Sequence, residues 1–155
     1  TPWRQDGVAN AGVSVACEPS EKASWVSEDI PLQPGETVRI YRWPAPSVEQ
    51  PALILLLLHG AGDSGLTWSA VATQLLGDPN LQGALAVAAD LRGHGGTISA
   101  GPEAEADLSI GRLVADVVQL LTALSERFGG ADLAIVGHSL RRALGGAGGG
   151  GSPHA

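Results

Sequence analysis

The sequence predicts an α/β fold built on a parallel sheet, and three observations carry that prediction. Leu53–Leu58, Ala84–Ala89 and residues 133–136 are unbroken apolar runs of strand length, as expected of strands covered on both faces. Between the first and second runs, Trp68, Val71, Ala72, Leu75 and Leu76 share one face of a helix. Between the second and third, Ile110, Leu113, Val114, Val117, Val118, Leu121 and Leu124 form a longer amphipathic helix. Strand, helix, strand, helix, strand is the order of βαβ units. In such sheets the working loops lie at the carboxyl ends of the strands. Chemistry is therefore expected after Leu58, Ala89 and Val136.

The remaining elements follow in order. Residues 1–30 show no sustained period, with Trp3 and Trp25 isolated among polar residues, and read as a mobile extension. Residues 36–43 alternate polar and apolar, which suits a strand with one buried face, and Pro44, Pro46 and Pro51 end it. Asp78-Pro-Asn80 stops the first helix, Ser109 is placed to N-cap the second, and Gly129-Gly130 ends that one. The domain is thus expected over residues 31–140. Residues 141–155 form a glycine-rich tail without period, which reads as the aberrant product of a frameshift or mis-spliced gene. The chain does not begin with methionine, so its natural N-terminus is expected upstream.

Composition excludes several classes. A chain of 155 residues is long enough for one core, and 44% apolar content favours folding over disorder. The formal charge is −7 without any run of like charges, which argues against nucleic acid or an anionic membrane as partner. Cys17 is the single cysteine, so no internal disulfide or cysteine metal cluster can form, and its expected role is that of a small filler. The apolar run at residues 52–58 is too short to span a bilayer. No H-E-x-x-H, phosphate-binding loop or supported carboxylate pair is present.

Three loops carry candidate chemistry. Val136-Gly-His-Ser-Leu140 closes the third apolar strand. It fits most of the G-x-S-x-G turn, which lifts a serine hydroxyl clear of a sheet, although Arg141 replaces the last glycine. Ser139 is therefore a candidate nucleophile. His59-Gly-Ala-Gly62 follows the first strand, where backbone N–H groups could face the carbonyl oxygen under attack, together with the N–H of Leu140. The same loop also reads as G-x-G-x-x-G over Gly60, Gly62 and Gly65, with Asp90 where a ribose-binding acid would stand. A dinucleotide-binding oxidoreductase domain is thus the competing reading. It gives no role to His59 or to Gly-His-Ser. The third loop, Asp90-Leu-Arg-Gly-His-Gly-Gly-Thr97, reads mainly as structural, with an Asp90–Arg92 ion pair fixing it.

These loops resemble those of the protein phosphatase methylesterases, within the α/β-hydrolase superfamily. Leu-Leu-Leu-Leu-His-Gly-Ala-Gly with Trp68 resembles their first strand and oxyanion loop. Asp90-Leu-Arg-Gly-His-Gly-Gly-Thr97, Ala106-Asp-Leu-Ser109, Val136-Gly-His-Ser-Leu140 and Thr37-Val-Arg-Ile-Tyr41 are similar to family segments as well. The resemblance covers about residues 25–140, the N-terminal half of such a domain. It implies an α/β-hydrolase fold truncated after the nucleophile turn, and a serine carboxylesterase activity. The implied reaction removes the methyl ester from the C-terminal carboxylate of the type 2A protein phosphatase catalytic subunit, which is the implied partner. Ser139 would be the nucleophile, and Ala61 and Leu140 would give the oxyanion N–H groups. No cofactor is implied, and the family is cytosolic and nuclear. The triad order in this fold is serine, acid, histidine. After Ser139 the chain contains no Asp or Glu, and His154 is its only later histidine. The acid and histidine of the triad are therefore absent, and this chain is expected to be poorly stable and nearly inactive. Two further alternatives remain: a hydrolase for another small ester, and a non-catalytic phosphatase-binding module.

Overall fold

The computed structural model of the chain describes residues 25–44 and 49–139. Five strands form one mixed sheet in the order β1-β2-β4-β3-β5. They are β1 (Val26–Gln33), β2 (Glu36–Trp43), β3 (Leu53–Leu58), β4 (Ala84–Ala89) and β5 (Asp132–Gly137). β3 pairs in parallel with β4 on one side and β5 on the other, while β2 runs antiparallel to both β1 and β4. The helices are α1 (Ser69–Leu76), the short α2 (Pro102–Ala106) and α3 (Ile110–Arg127). This is the α/β arrangement expected of the sequence, with the four expected strands at their expected positions.

The register divides the sheet into two faces, because successive side chains alternate. Ile54, Leu56, Leu85 and Val87 face α3 and pack with its Leu120 and Leu124. Leu55, Leu57, Ala86 and Ala88 point the other way, with Trp43, onto Ala72 of α1. Ser109 N-caps α3, its hydroxyl accepting the N–H of Arg112 at 3.3 Å, and the chain leaves that helix through Gly130 at φ +90°.

Two expectations are corrected. The extension does not run to residue 30, because β1 begins at Val26 and pairs along β2. The alternation of Ile30 and Leu32 is broken by Glu28 and Pro31. Glu28 lies on the inner face because Arg42 and Arg127 pair with it, and Pro31 is tolerated because β1 is the sheet's edge. Trp25, just before β1, stacks edge-on against Tyr41 with ring centroids 5.2 Å apart. The stripe on α3 also splits in two. Leu113, Leu120 and Leu124 are buried, whereas Ile110, Val114 and Val118 lie one step around the helix and are exposed. The same side of the molecule carries β5, whose Leu133 and Ile135 share the α3 face and are exposed too, Ile135 by 52%. Among the described residues β5 pairs with β3 alone. No described helix is long and apolar enough to cross a membrane.

Candidate active site at the carboxyl ends of β3, β4 and β5

The three parallel strands end side by side, and their loops form the site. After β3 comes His59, only 1% exposed. Its Nδ1 donates to the carbonyl of Gly60 at 2.7 Å, and its Nε2 accepts the N–H of Leu91 at 2.9 Å. An acceptor at Nε2 requires the neutral tautomer protonated at Nδ1. Burial, the largest influence, holds the pKa of His59 below its ordinary value. His59 thus joins the end of β3 to the end of β4, and it is not exposed to act as a base.

After β4 comes Asp90, fully buried. One carboxylate oxygen accepts the N–H of Gly65 at 2.7 Å, and the other accepts the N–H of Gly96 at 2.8 Å and the Tyr41 hydroxyl at 3.1 Å. Gly95, at φ +52°, has to be glycine, since a Cβ there would lie 2.0 Å from the Asp90 carboxylate. The expected Asp90–Arg92 ion pair does not form. Arg92 turns away and binds two other carboxylates, Asp116 at 2.7 and 2.9 Å and Glu36 at 3.2 and 3.1 Å. Its guanidinium also donates to Ser99 Oγ and the Ala104 carbonyl, so one side chain ties β2, α3 and the loop after β4 together. The Arg92 guanidinium beside Glu36 holds that carboxyl below its usual range.

His94, in the same loop, reaches across to the first one. Its Nε2 accepts the N–H of Gly62 at 3.2 Å while its Nδ1 lies 2.9 Å from the carbonyl of Arg92. The dinucleotide reading does not fit this arrangement. Two of its three glycines, Gly62 and Gly65, already spend their N–H groups on His94 and Asp90, and the Asp90 carboxylate sits beneath the loop.

After β5 the chain passes His138, whose N–H donates to the Leu58 carbonyl at 3.1 Å, and reaches Ser139. Ser139 has φ +51°, and it is the one non-glycine residue with a positive φ among the described residues. That conformation is costly for an L-residue with a side chain. Ser139 also meets the first loop. A Cβ on Gly60 would lie 3.0 Å from the His138 carbonyl and 3.4 Å from Ser139 Cβ, so the absence of a side chain there lets the two loops close. Ala61 follows Gly60, and its N–H finds no acceptor among the described residues. Beside them opens an apolar pocket of about 240 Å³, lined by His59, Gly60, Asp63, Thr67, Trp68, Val71 and His138. The structure thus brings Ser139 and the Ala61 loop together. Leu140, the other expected oxyanion donor, and Arg141 and His154 lie outside the described residues.

The sequence of the alpha/beta hydrolase family, taken as a profile, matches residues 55–147, more than half of the chain. A Caenorhabditis elegans protein named "probable protein phosphatase methylesterase 1" is 41% identical over 93 residues, which are 59% of this chain and 23% of that protein. The chain therefore spans about a quarter of that relative's length. Among solved structures, a laboratory-evolved variant of potato epoxide hydrolase superposes with a TM-score of 0.61 at 24% identity, over 78% of this chain and 34% of the other. An epoxide hydrolase from Vigna radiata gives 0.57 at 25% identity, with the same two shares. The chain thus spans about a third of each of these structures. These likenesses bear on the fold.

Proposed function

Because the chain belongs to the alpha/beta hydrolase family, we propose that it carries the nucleophile and oxyanion loop of a serine carboxylesterase, with Ser139 as nucleophile. The observation that supports this most is the positive φ of Ser139 at the end of β5, packed against Gly60. A strained serine on a strand-to-helix turn exposes its hydroxyl above the sheet. Its Oγ would attack an ester carbonyl carbon lodged against the 240 Å³ pocket. The carbonyl oxygen, gaining negative charge, would receive the N–H groups of Ala61 and Leu140. One such donor is worth about 3 kcal/mol in comparable sites. A base would take the serine proton and return it to the leaving oxygen, so that collapse of the adduct breaks the C–O ester bond, expels the neutral alcohol and leaves an acyl-serine for water to cleave.

The identity with the nematode methylesterase supports a methyl ester as substrate, with methanol as the leaving alcohol. On this reading the substrate is the methylated C-terminus of the type 2A phosphatase catalytic subunit, that subunit is the partner, and the setting is cytosol or nucleus. His59 and His94 are committed to loop contacts, so neither is the base for Ser139 in this arrangement. A serine hydroxyl without an adjacent base is a weak nucleophile.

The test separates these parts. The purified chain is treated with a p-nitrophenyl alkylphosphonate in imidazole buffer, which supplies a base from solution. Ser139 Oγ bonds to phosphorus and p-nitrophenolate leaves. The expected result is one adduct, mapped to Ser139 by mass spectrometry, and slowed by a peptide methyl ester more than by the same peptide as free acid. Adducts scattered over several serines, or none on Ser139, would remove the reading.

A further inference from the structure

Ala61 stands between two peptide groups, and each is held by a histidine from a different source. A peptide group is planar, so the orientation of an N–H follows from the carbonyl it is bonded to. The Gly60–Ala61 peptide, which bears the Ala61 N–H, is held through its carbonyl oxygen by His59 Nδ1 at 2.7 Å and by the Asp63 N–H at 3.2 Å. The Ala61–Gly62 peptide is held through its N–H, and the group that holds it is His94. Restraining both planes narrows the range of φ and ψ at Ala61, the only soft dihedrals that residue has. The second restraint matters because Gly62 lies at φ +84° with nothing within 4 Å of where its Cβ would be. At Gly62 itself, then, the positive φ and the open space beside it leave the backbone free of side-chain hindrance.

Resting on Ser139 and Ala61 as read above, we propose that His94 is a positioning residue for the oxyanion donor. It acts as a neutral acceptor that clamps the far side of Ala61. Its own orientation is set by the Arg92 carbonyl, 2.9 Å from Nδ1, which takes the single ring proton and leaves the Nε2 lone pair for Gly62. The Arg92 side chain is in turn locked between Glu36 and Asp116. The ring is also packed edge-on against His59, centroids 5.0 Å apart, so the two clamps brace each other. The clamp thereby couples the loop after β4, which touches no part of the ester in this reading, to the atom that would stabilise its charge.

The experiment uses the full chain with His94→Ala and His94→Gln, since the glutamine carbonyl oxygen can take the place of Nε2 as acceptor. Amide exchange by nuclear magnetic resonance is read at Gly62, and imidazole ¹⁵N shifts are read at His94. Phosphonylation of Ser139 is followed as a function of reagent concentration, separating the limiting rate from the reagent's affinity. The expected results are an Nδ1-protonated ring, exchange at Gly62 at least tenfold faster in His94→Ala, and a limiting rate at least tenfold lower at unchanged affinity. Glutamine should restore both. Unchanged exchange at Gly62, an unchanged limiting rate, or a glutamine variant no better than alanine would overturn the proposal. Failure of the Ser139 reading itself would show earlier and differently, as missing label at Ser139 in the unsubstituted chain. The Gly62 amide would then still decide whether the clamp exists.

Discussion

Arg92→Ala should unfold much of what holds the loop after β4. Arg92 is 4% exposed, and its guanidinium makes four hydrogen bonds to two carboxylates, with two more to Ser99 and Ala104. Removing it leaves Glu36, itself 5% exposed, and Asp116 with one cation fewer in a site that water barely reaches. Breaking a buried ion pair from one side costs about 3–5 kcal/mol, because the stranded charge keeps its desolvation penalty. Arg112 also pairs with both Glu36 and Asp116, so it neutralises part of what is stranded and sets the expectation at about 3 kcal/mol. The assay is urea unfolding followed by tryptophan fluorescence, Trp43 being buried. Arg92→Lys should recover only part of the loss, since an ammonium cannot present two forks at once. Glu36→Gln in the Arg92→Ala background should cost less than in the parent, a coupling of about 0.5–3 kcal/mol. A loss below about 1 kcal/mol for Arg92→Ala, or strict additivity of the pair, would refute the claim that this cluster is a clamp.

Two further outcomes follow. Gly95→Ala should cost at least about 3 kcal/mol, from the left-handed backbone and from displacing Asp90 from its charged hydrogen bonds, and it should speed amide exchange at Gly65; a neutral effect would show that Asp90 has room to move. His59 gives a pH signature. Its folded pKa is depressed from 6.5, so the unfolded chain binds the proton first as pH falls, and stability present above about pH 6.5 is lost below it. The contribution is at most about 1.4 kcal/mol per pH unit, in a window above that of Glu36, whose lowered pKa acts below 4.5. Urea midpoints at several pH values should show this slope, and His59→Gln should flatten it.

The parts of the fold that announce themselves in the sequence are those whose burial is two-sided. Leu53–Leu58 and Ala84–Ala89 are apolar throughout because both faces are covered. β1 is hidden because its one inner face carries Glu28, which is compatible with burial only through Arg42 and Arg127, and Arg127 is 99 residues away. The outward half of the α3 stripe has the same apolar spacing as the buried half, so periodicity alone cannot tell Val114 from Leu113. At the site, Gly-His-Ser and His-Gly-Ala-Gly are legible as loops at strand ends. The partners of Asp90 and Arg92 are not, because each is chosen by tertiary approach: Tyr41 lies 49 residues from Asp90, and Glu36 56 residues from Arg92. The G-H-G-G run after Arg92 did carry a signal for both the His94 bridge and the space that Asp90 needs. What it lacked was any indication of direction.

Among the described residues, Ala61 and Ser139 are anchored to the sheet in different ways. Ala61 is tied inward, through His59 and His94, to the loop after β4 in the middle of the sheet. Ser139 follows β5, which among the described residues pairs with β3 alone. On the proposed roles, local opening of β5 would carry the Ser139 hydroxyl away while the Ala61 loop stays tied to the loop after β4. A rate at such a site would be an intrinsic rate multiplied by the fraction of time that β5 is docked. If docking is favoured by only about 1.4 kcal/mol, one molecule in roughly ten is open at any moment; if opening is favoured by as much, nine in ten are silent. Anything that binds the docked form better would raise that fraction without touching a reacting atom.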